Sequence, residues 1–128
     1  MSAADRLAAL GRQLLRLEAQ RDGLNAEYQS IREHFESLRG VVMTPRVWSV
    51  AATLDEVVRT LGDPQGPAKD RGILEQEVDR RALAAAIAAR DDMKRVMSMI
   101  EETRAELAAL STLVKRCREY LATQGVEA

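Results

Sequence analysis

The residues that could do chemistry are few and scattered. His34 is the single histidine and Cys117 the single cysteine. A catalytic histidine needs a positioned acid or nucleophile within hydrogen-bond reach, and no serine or cysteine stands in a nucleophile motif. His34 falls beside an apolar seam, next to Phe35, and reads as a surface or flank residue. A zinc site takes about four ligands, more than one cysteine and one histidine supply. Cys117 sits at an apolar position, where free cysteine behaves as a small hydrophobe. Asp91-Asp92 and Glu101-Glu102 are adjacent carboxylates, but neighbours on a helix point about 100° apart. Neither pair makes a proton-sharing dyad, so they read as a solvated face or as ion-pair partners. Gly62 and Gly66 lack the spacing of a phosphate loop and have no strand before them. Arg80-Arg81 and Lys94-Arg95 are too short to be basic tracts. No enzyme activity, cofactor or metal is expected from this inventory.

What remains is binding through surface. Met93, Met97 and Met99 cluster, with Met43 apart from them, and methionine surfaces adapt to partners. Methionine in a seam is more often core. Met93 lies on a seam and Met99 off it, so Met99 is the one expected at the surface.

Three elements must position these residues. From about residue 3 to 38, Leu7, Leu10, Leu14, Leu17, Leu24, Tyr28, Ile31, Phe35 and Leu38 follow an alternating three-four spacing, the seam of a coiled coil. Arg21 is its polar position. Gly11 and Gly23 each weaken a helix by about 1 kcal/mol relative to alanine, yet the seam runs through both. One helix about 55 Å long is expected, stopped at Gly40. Thr44 then offers a cap and Pro45 a first helical residue. Val47, Ala51, Leu54, Val58 and Leu61 predict a short amphipathic helix over about 46–61, ended by Gly62 and Pro64. Residues 63–67 read as a turn-rich loop. The last helix is expected over about 70–123, with Met93, Val96, Ile100, Leu107, Leu110, Val114, Cys117 and Leu121 as a second seam and Thr103 as its polar member. Gly125 stops it.

The expected fold is therefore all-α. It is an antiparallel, coiled-coil-like hairpin of two long helices with a short additional helix in the connection, forming one domain over 1–128. The stretch Ala82 to Ala89 is nearly all small side chains, so the short helix, with Trp48, is expected to pack there. An antiparallel register brings Arg21 near Arg90–Asp92 and predicts that Arg21 bonds Asp91 or Asp92. The last helix is longer than the first. Its C-terminal seam is therefore expected to outrun its partner, and an unpaired apolar stripe calls for another chain.

Composition agrees. Of 128 residues, 46% are hydrophobic and only 3% aromatic, so the core is aliphatic. Charge is plentiful at 30% but balanced at a net −1. A duplex-binding surface needs basic excess, so nucleic acid is not an expected partner, although a local patch is compatible with the balance. No apolar run approaches the roughly 20 residues that cross a bilayer, and there is no signal-peptide core. A lone cysteine fits a reducing, intracellular compartment.

Two stretches resemble the N-terminal domain of the 26S proteasome non-ATPase regulatory subunit 9 family, PDZ-containing chaperones of proteasome base assembly. The first runs from Arg21-Asp22-Gly23-Leu24 through Glu36-Ser37 to Gly40-Val41-Val42-Met43 and Pro45, similar to a helix ending in a Gly-x-x-Met turn before a proline. The second runs from Asp79-Arg80 through Asp91-Asp92-Met93-Lys94-Arg95-Val96-Met97 to Ile100-Glu101, similar to the family's second long helix, with the Arg80-to-Asp92 spacing kept. Together they cover about half the chain. There are departures. The family's Gly-x-Pro-Arg-x-Asp run is matched only in part by Gly66-Pro67-Ala68-Lys69-Asp70-Arg71. Residues 47–61 look like an insertion. No PDZ domain follows, as in an N-terminal piece of a longer protein or a divergent relative.

The resemblance implies a cytoplasmic or nuclear protein-binding chaperone that engages an ATPase subunit of the proteasome base, acting sterically. Met43, Arg71, Arg80 and Asp92 are the partner-binding residues expected from it. The rival expectations are a bacterial secretion or flagellar export chaperone, which a eukaryotic source would exclude, and a homodimeric coiled-coil scaffold, which a monomer in light scattering would exclude.

Overall fold

Leucine at heptad spacing and a sequence rich in strong helix formers produce helices almost throughout. In the computed structural model, which describes residues 2–125, five helices follow one another: α1 (Ala3–Val42), α2 (Pro45–Trp48), α3 (Leu54–Gly62), α4 (Ala68–Glu77) and α5 (Arg80–Thr123). No strand occurs among the described residues. The long helices α1 and α5 pack together as a hairpin does. Two compact units are distinguishable, one from Met1–Tyr28 and Arg95–Ala128, the other from residues 29–94.

In the first unit α1 and α5 run antiparallel: the Cys117 thiol faces the Ala3 carbonyl at 3.6 Å, while Gln20 meets Thr103. Leu17, Leu107 and Leu110 are buried, with Leu10 and Leu14 packed against them. Thr103 is the one buried polar residue of the described chain, and its hydroxyl accepts a hydrogen bond from Gln20 Nε2 at 3.1 Å. A polar contact inside an apolar seam penalises shifted registers. Arg21, beside Gln20 on α1, pairs with its neighbour Asp22 at 3.2 Å. Gln20 reaches the seam from its flank without bringing a charge into it. Near the end of the α5 seam Leu121 is only 3% exposed, while Cys117 one turn before it is half-buried. The stripe expected to outrun its partner is therefore not open at Leu121.

The second unit departs more from the expected elements. Helix α1 does not stop at Gly40 but runs to Val42. The extra turn makes Val42 fully buried and carries Met43 into the same core. Burying two such side chains contributes about 1.5–3 kcal/mol each, which outweighs the roughly 1 kcal/mol cost of a helical glycine. A Cβ at Gly40 would meet nothing within 4 Å. Gly40→Ala is therefore expected to stabilise the protein by about 0.5–1 kcal/mol in a denaturant melt. A loss of stability would show that the glycine is required there.

Where one helix was expected over about 46–61, two stand. Thr44 caps α2, accepting from the Val47 N–H at 3.5 Å, with Pro45 in the first turn. The chain then leaves the helix, and α3 starts anew. The Thr53 hydroxyl accepts from the Glu56 N–H at 3.1 Å, and the Glu56 carboxylate accepts from the Ala52 N–H at 2.8 Å. This is the reciprocal logic of a capping box. The restart changes the phase of the apolar face: Val57 is fully buried and Val58 is exposed, the reverse of continuous spacing.

The helix expected over about 70–123 is likewise two. Val78 is extended, at φ −79° and ψ 124°, and ends α4. Asp79 Oδ1 then accepts from the N–H groups of Arg81 and Ala82, both at 3.0 Å, opening α5. Aspartate favours such a cap over a helix interior. The break lets both Leu74 and Val78 enter the core that Val42, Met43, Val47, Ala51, Leu54 and Val57 share with Ala82, Leu83 and Ala86. The alanine-rich stretch thus does receive the connecting helices. Val47 faces that core, whereas Trp48 is 55% exposed.

Candidate protein-binding surface

The four residues expected at a partner interface are placed very differently by the fold. Met43 is 7% exposed and belongs to the core of the second unit, where it also lines the cleft beside Trp48. The extra turn of α1 is the cause. Arg71 is half-buried and engaged locally: its guanidinium donates to the Asp63 carbonyl at 3.2 Å and pairs with Glu75 at 3.8 Å. It closes the loop at Asp63, where the carboxylate also accepts from the Gln65 N–H at 2.9 Å. Arg80 is exposed at the first position of α5. It borders a shallow hollow of about 320 Å³ lined by Val58, Leu61, Leu83 and Ile87. Asp92 is exposed further along α5. Arg80 and Met43 border different hollows.

The side chain best built for recognition is one the sequence pattern assigned to packing. Trp48 ends α2, one residue beyond the buried Val47, and stands beside a cleft of about 160 Å³ lined also by Phe35, Arg39, Leu54, Asp55 and Arg90. Thr44 and Pro45 fix where α2 starts, and α2 fixes Trp48. Arg90 spans the cleft to Asp55 at 2.7 Å, and Arg39 pairs with Glu36 at 2.9 Å. The Arg90 Nε is buried with no hydrogen-bond partner among the described residues. The result is an exposed indole beside two guanidinium groups. Tryptophan and arginine are the residue types most enriched among interface hot spots. The lone tryptophan, next to Val47 rather than on the apolar repeat, was the available signal, but the expected packing sets it with the short helix against the alanine stretch.

The other residues singled out by type hold ordinary places. His34 is exposed on α1 and Met99 is exposed on α5, as their positions implied. Cys117 is half-buried in the first unit. Among the described residues, no group of three or more His, Cys, Asp or Glu side chains is placed to hold a metal ion. No described helix is long and apolar enough to cross a membrane.

No known protein family, curated protein or solved structure matches this chain.

Proposed function

We propose that this chain is a protein-binding chaperone whose anchor is Trp48. The observation that carries the reading is an indole left 55% exposed in a fold that had an apolar core available to receive it. Leaving so large an apolar group in water forgoes about 1.5–3 kcal/mol of burial, which a partner's surface would recover. Arg39 and Arg90 beside it are held by Glu36 and Asp55, so the indole is flanked by ion pairs rather than by open cations.

The resemblance in α1 and α5 is what supports the choice of partner on this reading: an ATPase subunit of the proteasome base, held during assembly in the cytoplasm or nucleus. On this reading the helical surface sterically covers a face that a later subunit needs, and then leaves. Met43 takes an internal role, supporting the floor of the Trp48 cleft. Charge reversal at Arg80 tests contact, whereas reversal at Arg71 tests the loop it closes.

Affinity purification from the native cell, with mass spectrometry, is expected to recover proteasomal ATPase subunits with the unmodified chain. Trp48→Ala should weaken that capture by about 30-fold or more, the effect of losing a hot spot worth about 2 kcal/mol. Capture that excludes every proteasome subunit removes the partner assignment. Capture unchanged by Trp48→Ala removes the anchor.

A further inference from the structure

The free ends of α1 and α5 in the first unit carry a charge unlike the rest of the chain. Within the described residues 2–17 and 113–125, Arg6, Arg12, Arg16, Lys115, Arg116 and Arg118 stand against the carboxylates of Asp5 and Glu119, in a chain whose net charge is −1. All six cations are exposed, and none makes an ion pair with a described residue. Elsewhere Arg21, Arg39, Arg46, Arg71 and Arg90 each have a carboxylate.

The same end holds a groove of about 620 Å³. Leu10, Leu113, Cys117 and Tyr120 line it, Arg6 and Arg116 lie along it, and no carboxylate among the described residues does. Leu113 is 50% and Tyr120 56% exposed. An apolar trough with cations beside it has the complement of an amphipathic helix that presents leucine-type side chains on one face and glutamates on its flanks.

We infer that this groove docks an acidic amphipathic helix of a partner protein, at a site separate from the Trp48 cleft. Other occupants fit less well. A second copy laid on the same groove would set Arg6 and Arg116 against their own like charges. A nucleic acid would use the cations but gain little from Leu10 and Leu113, since its affinity rests on phosphate contacts. An anionic bilayer is met by an exposed convex face, whereas these apolar side chains line a hollow.

The test uses the full chain and two fluorescein-labelled 15-residue peptides in fluorescence anisotropy. One carries leucines at helical spacing with glutamates flanking them; the other has lysine at every glutamate. The acidic peptide is expected to bind at least about 10-fold more tightly. Raising salt from about 0.05 to 0.3 M should weaken it several-fold, because exposed charge pairs are screened. Arg6→Glu with Arg116→Glu should weaken it about 10-fold or more, Leu113→Ser should weaken it as well, and Trp48→Ala should leave it unchanged. Equal binding of the two peptides, or affinity indifferent to salt, overturns the inference on the unmodified chain, whatever the folding of the variants. So does tighter binding to phosphatidylserine vesicles or to a DNA duplex than to the acidic peptide.

Discussion

Leu74→Ala is expected to lower stability by about 2–5 kcal/mol. Leu74 is fully buried and, with Ile100, is among the largest wholly enclosed side chains of the described residues. It is also the buried residue of α4, a helix of ten residues with no side-chain cap at its start. A helix that short is marginal in water by itself, so α4 depends on tertiary burial, and Leu74 with Val78 supplies it. Truncation removes the transfer free energy of three carbons and leaves a cavity against Val42, Val47 and Val57, members of the same cluster. Those neighbours are β-branched and stiff about χ1, which limits collapse into the space. A midpoint shift in urea, with the slope little changed, would show this as lost stability rather than a changed denatured state. Ile73→Ala serves as the comparison on the same helix. Ile73 is half-buried, so its cost should be clearly smaller. Equal costs would mean that α4 is not anchored through Leu74.

How much of this was legible in advance depends on what each boundary is made of. The long seams were readable because nine apolar positions at three-four spacing in α1 outweigh two interior glycines. Thr44-Pro45 was readable because both residues act locally. The breaks were missed where the apolar rhythm continued through them. Val47, Ala51, Leu54 and Val58 keep a helical beat across residues 49–53, yet Thr53 and Glu56 spell a local start signal that the beat concealed. Asp79 was the same case: a capping residue inside a stretch where Ile73, Val78 and Leu83 suggested continuity. In each case a hydrogen-bonding side chain decided the backbone, and the repeat followed in a new phase. Gly40 erred the other way, since a local stop signal lost to the burial of Val42 and Met43, which no local pattern reports.

The surface candidates divide along the same line. Arg71 could be singled out as a charged residue near a loop, but its hydrogen bond to the Asp63 carbonyl depends on how the loop closes. Trp48 could be recognised as the lone tryptophan, but its exposure depends on α2 ending where it does. The basic groove of the first unit is invisible in a net charge of −1, because its cations come from stretches more than 90 positions apart that the antiparallel pairing brings to one end.

Ala86→Leu is expected to cost about 3 kcal/mol, near the upper end of overpacking effects. Ala86 is fully buried on α5, and Ala82 and Leu83, one turn before it, are buried in the same cluster. Alanines at that spacing let a helix backbone approach its neighbours closely. Three added carbons therefore meet close-packed atoms rather than a void, and the interior has little free volume to take them. Either the new side chain leaves its preferred rotamer or the packed elements shift apart. Ala88→Leu, at an exposed position two residues on, should stay within about 0.5 kcal/mol of the unmodified protein, since helix propensity hardly distinguishes the two residues. The contrast isolates packing from propensity, and urea melts of the two variants read it directly. Should Ala86→Leu prove neutral, the helices would not be seated on the alanine face of α5. The cleft beside Trp48, whose position depends on that seating, would then need a different support.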